Sequence, residues 1–457
     1  MRPTEGRFLS IQVARGIAAL EVVYVHSFLV VKHVPDYQYA RPFPDLIPEG
    51  IGVDLFFLIS GFVMASVVTS PGLGPGNFLL RRFIRIYPIY WIFSAAVVLA
   101  FLLNPAWNLG SFSYSPTNII KSLLLFPQLE YPLLSVGWTL EHEALFYLMV
   151  ASMLAIGRPG AAPTVVLCFF FSGIVLRLVG EASGTKIWDF HVTSPMLAEF
   201  WLGMILYNFR NRVMSAGSLP VLVAVMAGCL AVRYVSASWA EEWGVWQEYY
   251  RVVTVGFFCF AFLGILMALE KFVERRSSFG VPAVTGLLAG LVILGDISYS
   301  LYLSHWFILS ALGKAITIFP GSPAYGGLFQ AGGIILCVIL AAGTYFLLEK
   351  PMIESLNRHF RSRSRAGGRT WLGGSPGSYL RSVAQRRQAT GSGARPTSGE
   401  TAAPPWSGKL RLLKLLAGLQ AGLPTGSVTE PAVQGRRSAG VSTTRPVDTP
   451  ASLKKDL

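Results

Sequence analysis

What most constrains this chain is a succession of apolar runs, each long enough to cross about 30 Å of hydrocarbon. They fall near residues 8–31, 51–69, 87–103, 137–156, 162–180, 194–209, 218–235, 249–269, 297–319 and 327–348. A bilayer offers no water to backbone N–H and C=O groups, so a crossing segment must satisfy them within itself, and a helix does so. The sequence therefore predicts an all-α polytopic integral membrane protein of about ten transmembrane helices. Hydrophobic residues make up 53% of the chain and charged residues only 14%. That balance excludes an ordinary soluble domain, in which about a quarter of residues are charged. Two shorter apolar pieces, Asn118–Phe126 and Pro282–Leu294, fall outside the ten and are expected to be interfacial or re-entrant.

Charge is distributed unevenly. The formal net charge is +14, yet residues 357–457 hold 17 Lys and Arg against 4 Asp and Glu, which leaves the first 356 residues almost neutral. A basic nucleic-acid-reading domain is excluded, and no nucleic acid partner is expected. The chain divides into a membrane domain, 1–356, and a Ser/Gly/Pro/Arg-rich basic tail, 357–457, which cannot bury enough apolar surface to fold and is expected to be disordered. Within the tail, Lys409–Leu419 has the pattern of a short basic amphipathic helix suited to anionic lipid.

Arg2, Arg7, Arg81, Arg82, Arg85, Arg158, Arg210, Arg212, Lys271, Arg275, Arg276 and the tail fall on one side of the expected spans. The opposite connections carry Asp36, Asp45, Glu130, Glu241 and Glu242 with Trp107, Trp188 and Trp243. By the positive-inside rule both termini are cytoplasmic, in the inner (cytoplasmic) membrane of the cell. The first run keeps Arg15, Glu21 and His26 and shows no small-residue cleavage site, which reads as a retained span rather than a signal peptide. Cys168, Cys229, Cys259 and Cys337 lie singly in apolar runs and read as small core residues.

Ionisable groups inside spans cost a few kcal/mol unless they serve something. Arg15 and His26 are eleven residues apart, which on a helix puts them on one face about 16 Å apart along the axis. Gln12, Ala19 and Val22 or Val23 share that stripe, while Ile17, Val25 and Leu29 point elsewhere. The connection FLLRRFIRIYPIYW sets Arg82 and Arg85 three apart, where guanidinium groups can grip phosphate. The fourth span opens SVGWTLEHEALFY, with Glu143 inside it and Glu141 and His142 nearer the outer end, within reach of water. In GDISYSLYLSHWFI, Ser298, Tyr302 and His305 share a face. Glu349, closing the last span, is at the right depth to pair with an arginine of the second connection. No Walker loop, GxSxG or HExxH is present and the histidines are scattered over separate spans, so no metal site is expected. The chemistry left is a histidine base with arginine anion sites across a membrane.

Taken in order, these stretches resemble the membrane-bound acyltransferase 3 family. The matching pieces are the Arg15 and His26 pair, GVDLFFLISGF at Gly52–Phe62, RRFIRIYPIY at Arg81–Tyr90, WTLEHEALFY at Trp138–Tyr147, ISYSLYLSHW at Ile297–Trp306 and EKP at Glu349–Pro351. The branch most similar contains exopolysaccharide and O-antigen O-acetyltransferases. The resemblance implies an acyl-CoA donor, usually acetyl-CoA, supplied from the cytoplasm and not bound permanently. It implies a carbohydrate hydroxyl acceptor, lipid-linked or on the cell surface, and a place beside polysaccharide biosynthesis machinery in the lipid bilayer. His26 would be the catalytic histidine with Arg15 its partner, Arg82 and Arg85 would face CoA, and Glu143 would match the motif glutamate, orienting His26 or holding the acceptor. Trp138, Tyr302, His305 and Ser298 would support or contact substrate. Direct transfer and an acyl-histidine intermediate both use His26. A small macrolide-like acceptor, or a transporter of an anionic glycolipid, are the alternatives.

Overall fold

The computed structural model describes residues 8–32, 50–70, 72–104, 115–128, 130–183, 191–240, 246–276, 282–318 and 325–366. The chain divides into two compact units, 1–375 and 376–457, and every described residue belongs to the first. The described helices are α1 Leu9–His26, α2 Phe28–Val31, α3 Ile51–Val68, α4 Pro75–Leu103, α5 Pro116–Leu124, α6 Trp138–Ala155, α7 Ala162–Ser183, α8 Leu197–Asn208, α9 Arg210–Val213, α10 Leu219–Ala240, α11 Gln247–Arg251, α12 Phe257–Arg276, α13 Pro282–Ile318, α14 Gly326–Thr344 and α15 Lys350–Ala366. No strand occurs among the described residues. Eight helical stretches among them are long and apolar enough to cross a membrane. The remaining two expected spans correspond to α6, which carries Glu141, His142 and Glu143, and to α8, which has only 12 residues.

Several expectations are corrected. The arginine-rich stretch is not a connection: Arg81, Arg82 and Arg85 lie within α4, a 29-residue helix that begins at Pro75 and tolerates Pro88. Pro88 forgoes one intrahelical hydrogen bond, and the apolar run on either side carries the helix through it. The piece 282–294 is not re-entrant, because it is continuous with the ninth span in the 37-residue α13. The piece 118–126 forms α5, a two-turn helix capped by Ser115, whose Oγ accepts from Asn118 N at 3.2 Å. Its C-terminal carbonyls are taken up by α4: Tyr90 Oη donates to Ser122 O, Trp91 Nε1 to Leu123 O and Tyr87 Oη to Leu124 O, at 2.8–2.9 Å. Helix α15 runs on to Ala366, past the expected boundary at 356. Lys409–Leu419, Arg2, Arg7 and most of the acidic outer connections lie outside the described residues. Cys259 and Cys337 are buried, but Cys168 is exposed on the outward side of α7, so it is not a core residue.

Close helix approach follows from glycine, as in membrane bundles generally. A Cβ on Gly203 of α8 would sit 1.9 Å from Leu58 O of α3, and one on Gly61 would sit 2.0 Å from Phe200 O. The pair α1 and α13 is closed in the same way by Gly16, against Leu291 O, and by Gly295, against Gln12 O. Around these seams Phe57, Phe146 and Phe200 stack at centroid distances of 4.2–4.8 Å.

Carboxylates satisfy helix starts. Glu270 of α12 accepts from Leu9 N at 2.7 Å and Ser10 N at 2.9 Å, and Glu21 accepts from Gly50 N at 3.1 Å and Gly52 N at 2.8 Å. Each places negative charge on the positive end of a helix dipole. Two π-helical turns, Val252–Gly256 and Tyr345–Glu349, break the regular ladder beside buried ion pairs.

Candidate active site

Two helices build the centre of the bundle. On α1, Gln12, Ala19, Val22 and Val23 are buried, as the stripe requires. Leu29, expected to point away, is buried; it lies in α2, beyond the helix break at Ser27. The break is held by Ser27 Oγ, which donates to Tyr24 O and accepts from Gln330 Nε2 of α14 at 2.9 Å. It leaves His26 as the last residue of α1, half-buried.

His26 Nδ1 lies 2.9 Å from Val22 O. A carbonyl only accepts, so Nδ1 carries the proton and the lone pair of the neutral ring is on Nε2. The helix end around the ring is the negative pole of the α1 dipole, which suits a transient imidazolium. His305 of α13 packs against it with ring centroids 5.1 Å apart, and Trp306 at 5.3 Å edge-on. His305 is fully buried, and its Nδ1 donates to Leu301 O at 3.1 Å.

Arg15, further down α1, donates from a terminal nitrogen to Ser298 Oγ at 2.8 Å, and Ser298 Oγ donates to Gly295 O at 2.8 Å. Since 15 pairs with 298 and 26 with 305, positions rise together. The two helices are parallel, as a first and a ninth span should be. The expected face of α13 therefore looks at α1, and part of it at α6: Tyr302 Oη donates to Val136 O at 2.8 Å and meets Thr139 Oγ1 at 2.7 Å.

Glu143 occupies a neighbouring position. Its Oε1 accepts from Ser60 Oγ at 2.6 Å and from Tyr147 Oη. The Tyr147 ring in turn lies 5.8 Å from the Arg82 guanidinium, which also rests 5.9 Å from the Phe78 ring. Arg82 Nε is buried and has no hydrogen-bond partner. Hydrogen bonding thus ties Glu143 to Ser60 and Tyr147, while the Val22 carbonyl holds His26 Nδ1. Arg82 and Arg85 face different neighbours rather than forming one clamp. Arg85 bonds Glu349 Oε1 at 2.6 Å and lies 5.5 Å from the Tyr299 ring, while Ser300 Oγ donates to Glu349 Oε2 at 2.6 Å. The pairing expected of Glu349 is present, and it engages Arg85 in the fold. Arg85→Ala would strand a fully buried carboxylate, at a cost of about 3 kcal/mol. Thermal unfolding in detergent should show a clear loss for Arg85→Ala and a smaller one for the Arg85→Ala, Glu349→Gln double variant.

Trp138 does not reach His26. Its ring packs on His142 at 5.6 Å and Phe57 at 6.4 Å, and Trp306 takes the position beside the catalytic candidate. Nor do Glu141 and His142 reach water, both being 1% exposed. Gln128, just after α5, and His191 close over this end of α6: Glu141 accepts from Gln128 Nε2 at 3.0 Å and shares a proton with His191 Nε2 at 2.8 Å. Burial lowers the His191 imidazole to about 4, and its ring stacks 4.4 Å from His142.

Sequence reasoning missed this network, the bidentate pair of Asp54 with Arg251, and Trp306. Gln128, His191 and Arg251 sit far from their partners in sequence, and only Trp306, next to His305, carried a local signal.

A sequence profile described as an acyltransferase domain matches residues 8–342. The exopolysaccharide production protein ExoZ of Rhizobium meliloti (strain 1021) is 29% identical over 312 residues, covering 66% of this chain and 89% of that protein. Nodulation protein 10 of Rhizobium leguminosarum bv. viciae is 27% identical over 222 residues, covering 48% and 50%. The putative membrane-bound transacylase BcsY of Komagataeibacter xylinus is 24% identical over 338 residues, covering 67% and 77%. No solved structure matches the chain. With the profile covering Arg15, His26, Arg82, Glu143 and His305, this multi-pass membrane protein belongs to the acyltransferase 3 family and is an acyltransferase.

Proposed function

We propose that the chain moves an acyl group, acetyl in the first instance, from cytoplasmic acyl-CoA to a hydroxyl of a cell-surface or lipid-linked carbohydrate. The observation that carries the reading is His26 at the broken end of α1, its Nδ1–H held by Val22 O and its Nε2 left basic. A carbohydrate acceptor is supported by relatives named for exopolysaccharide production. In the step, the acceptor O–H bond breaks as His26 Nε2 takes the proton. The oxygen bonds to the acyl carbon, the C–S bond breaks, and the proton passes to sulfur to give free CoA. Arg15 lies about 16 Å before His26 along α1, at the donor end of the path, so the stripe has a direction from cytoplasm to acceptor. The protein sits in the cytoplasmic membrane with both termini inside and works with the machinery that supplies the carbohydrate.

Arg82 is assigned the donor phosphates, since its Nε is buried without a hydrogen-bond partner whereas Arg85 is held by Glu349. Arg82→Ala should raise the KM for acyl-CoA about tenfold, the worth of one charge-assisted contact, with little change in kcat. An unchanged KM overturns the assignment. The reading as a whole is tested by supplying purified protein with acetyl-labelled acetyl-CoA and surface polysaccharide from its own cells. Label in the carbohydrate is expected. Release of CoA with label going only to water, or no turnover at all, counts against it.

A further inference from the structure

His305 is the one buried histidine of the α1 and α13 seam that the proposed reaction leaves without a task. Its ring is 0% exposed, its Nδ1–H is fixed on Leu301 O, and Nε2 is buried with no hydrogen-bond partner. A neutral imidazole so locked has a lone pair on Nε2 and nothing to give it. An unpaired buried acceptor is costly, and a fold tolerates it where a donor arrives at some stage of its work.

The neighbour that can supply the donor is His26. It is locked in the same way, by Val22 O on its own Nδ1, so in the resting protein both Nε2 atoms are lone-pair acceptors and cannot bond to each other. One added proton changes that. With ring centroids 5.1 Å apart, a proton taken up at His26 Nε2 has the His305 lone pair as a nearby buried acceptor. His26 is half-buried and His305 has no exposure, so substrate meets the His26 ring and not His305. Among the described residues, the other titratable side chains against His305 are Tyr302, whose ring is 6.0 Å away and whose hydroxyl is spent on Val136 O, and Cys337 of α14, whose Sγ reaches His305 O at 4.0 Å. Neither competes for the Nε2 lone pair.

We propose that His305 is a positioning residue that accepts a hydrogen bond from His26 in its protonated form, holding the imidazolium between removal of the acceptor's proton and its delivery to the CoA sulfur. This rests on the assignment of His26 as the base. His305 itself gains and loses no proton, so the balance of the reaction is unchanged. The carbohydrate hydroxyl loses H⁺, His26 carries it, and the thiolate receives it.

The test uses the full-length protein in lipid nanodiscs, with acetyl-CoA and cell-derived polysaccharide. His305→Phe keeps a ring and removes the nitrogen, whereas His305→Gln keeps an acceptor oxygen. His305→Phe should lower kcat about 10- to 100-fold, the worth of a hydrogen bond to a charged group, with the KM for acetyl-CoA unchanged. The acidic limb of its pH–rate profile should move to lower pH, and His305→Gln should recover part of both. Equal losses in the two variants with an unmoved limb, or a fully active His305→Phe, overturn the proposal. Should the variants not fold, nitrogen NMR of ¹⁵N-histidine-labelled wild-type protein decides. The His305 Nε2 resonance should shift as His26 protonates, and a static resonance overturns the idea. Failure of the underlying reading looks different, because His26→Ala would then retain turnover whatever His305 does.

Discussion

Replacing Gly295 by alanine should cost about 3 kcal/mol or more and remove activity, although the residue touches no substrate. A Cβ there would lie 2.0 Å from Gln12 O, 2.7 Å from its carbonyl carbon and 3.0 Å from its Cα. These are backbone atoms of α1, so no side-chain rotation relieves the clash and the helices must part. Parting them stretches the Arg15 contact to Ser298, one turn along, and the packing of His26 on His305. Gly290→Ala, on the same helix, is the control. A Cβ there meets nothing within 4 Å, and alanine in a helix is favoured over glycine by up to about 1 kcal/mol. Unfolding temperature and turnover should fall together for Gly295→Ala and hold for Gly290→Ala. A stable, active Gly295→Ala protein would show that the seam is not as tight as its geometry states.

His26→Ala should leave the fold standing and lower acyl transfer about 10²- to 10⁴-fold, the usual worth of a positioned general base. The ring is half-buried at a helix end, and its Nδ1 bonds a carbonyl four residues back, so deleting it leaves Val22 O to local repair. Purified variant and wild type should unfold at similar temperatures and differ in CoA release. Retained turnover in His26→Ala would place the base elsewhere, and Glu143, held by Ser60 and Tyr147, would be the next group to replace.

The helical membrane fold was legible because the bilayer leaves backbone groups so few options: span after span is a run of apolar residues with no strand alternative. The α1 stripe was legible from a 3.6-residue period, and so was the α13 face of Ser298, Tyr302 and His305, which does meet α1 and α6. Glu349 was legible from depth alone, because an acid at the end of a span must find a cation and Arg85 is at that level.

Partner choice was not legible. Whether Glu143 would meet His26 or Ser60, and whether Trp138 or Trp306 would line the histidine, depends on helix rotation and tilt, which packing sets and sequence spacing does not. The break at Ser27 was invisible because nothing in the run Val25–Val31 is a helix breaker. It is held by a tertiary hydrogen bond from Gln330. The burial of Glu141 and His142 likewise depends on Gln128, just after α5, and on His191, which close over that end of α6. The arginine stretch was placed in a connection because charge was read as a boundary. In the structure Phe78, Tyr147, Tyr299 and Glu349 surround those guanidinium groups within the helix packing.

The most direct measurement is made on the cells that carry the gene. Surface polysaccharide from a deletion strain, from the strain restored with the intact chain, and from one restored with His26→Ala is compared for O-acetyl content by mass spectrometry, with membrane levels of the two proteins matched. The account predicts O-acetyl groups in the restored strain and their absence in the deletion and His26→Ala strains. O-acetylation recovered by the His26→Ala protein, or identical polysaccharide in all three, would contradict it.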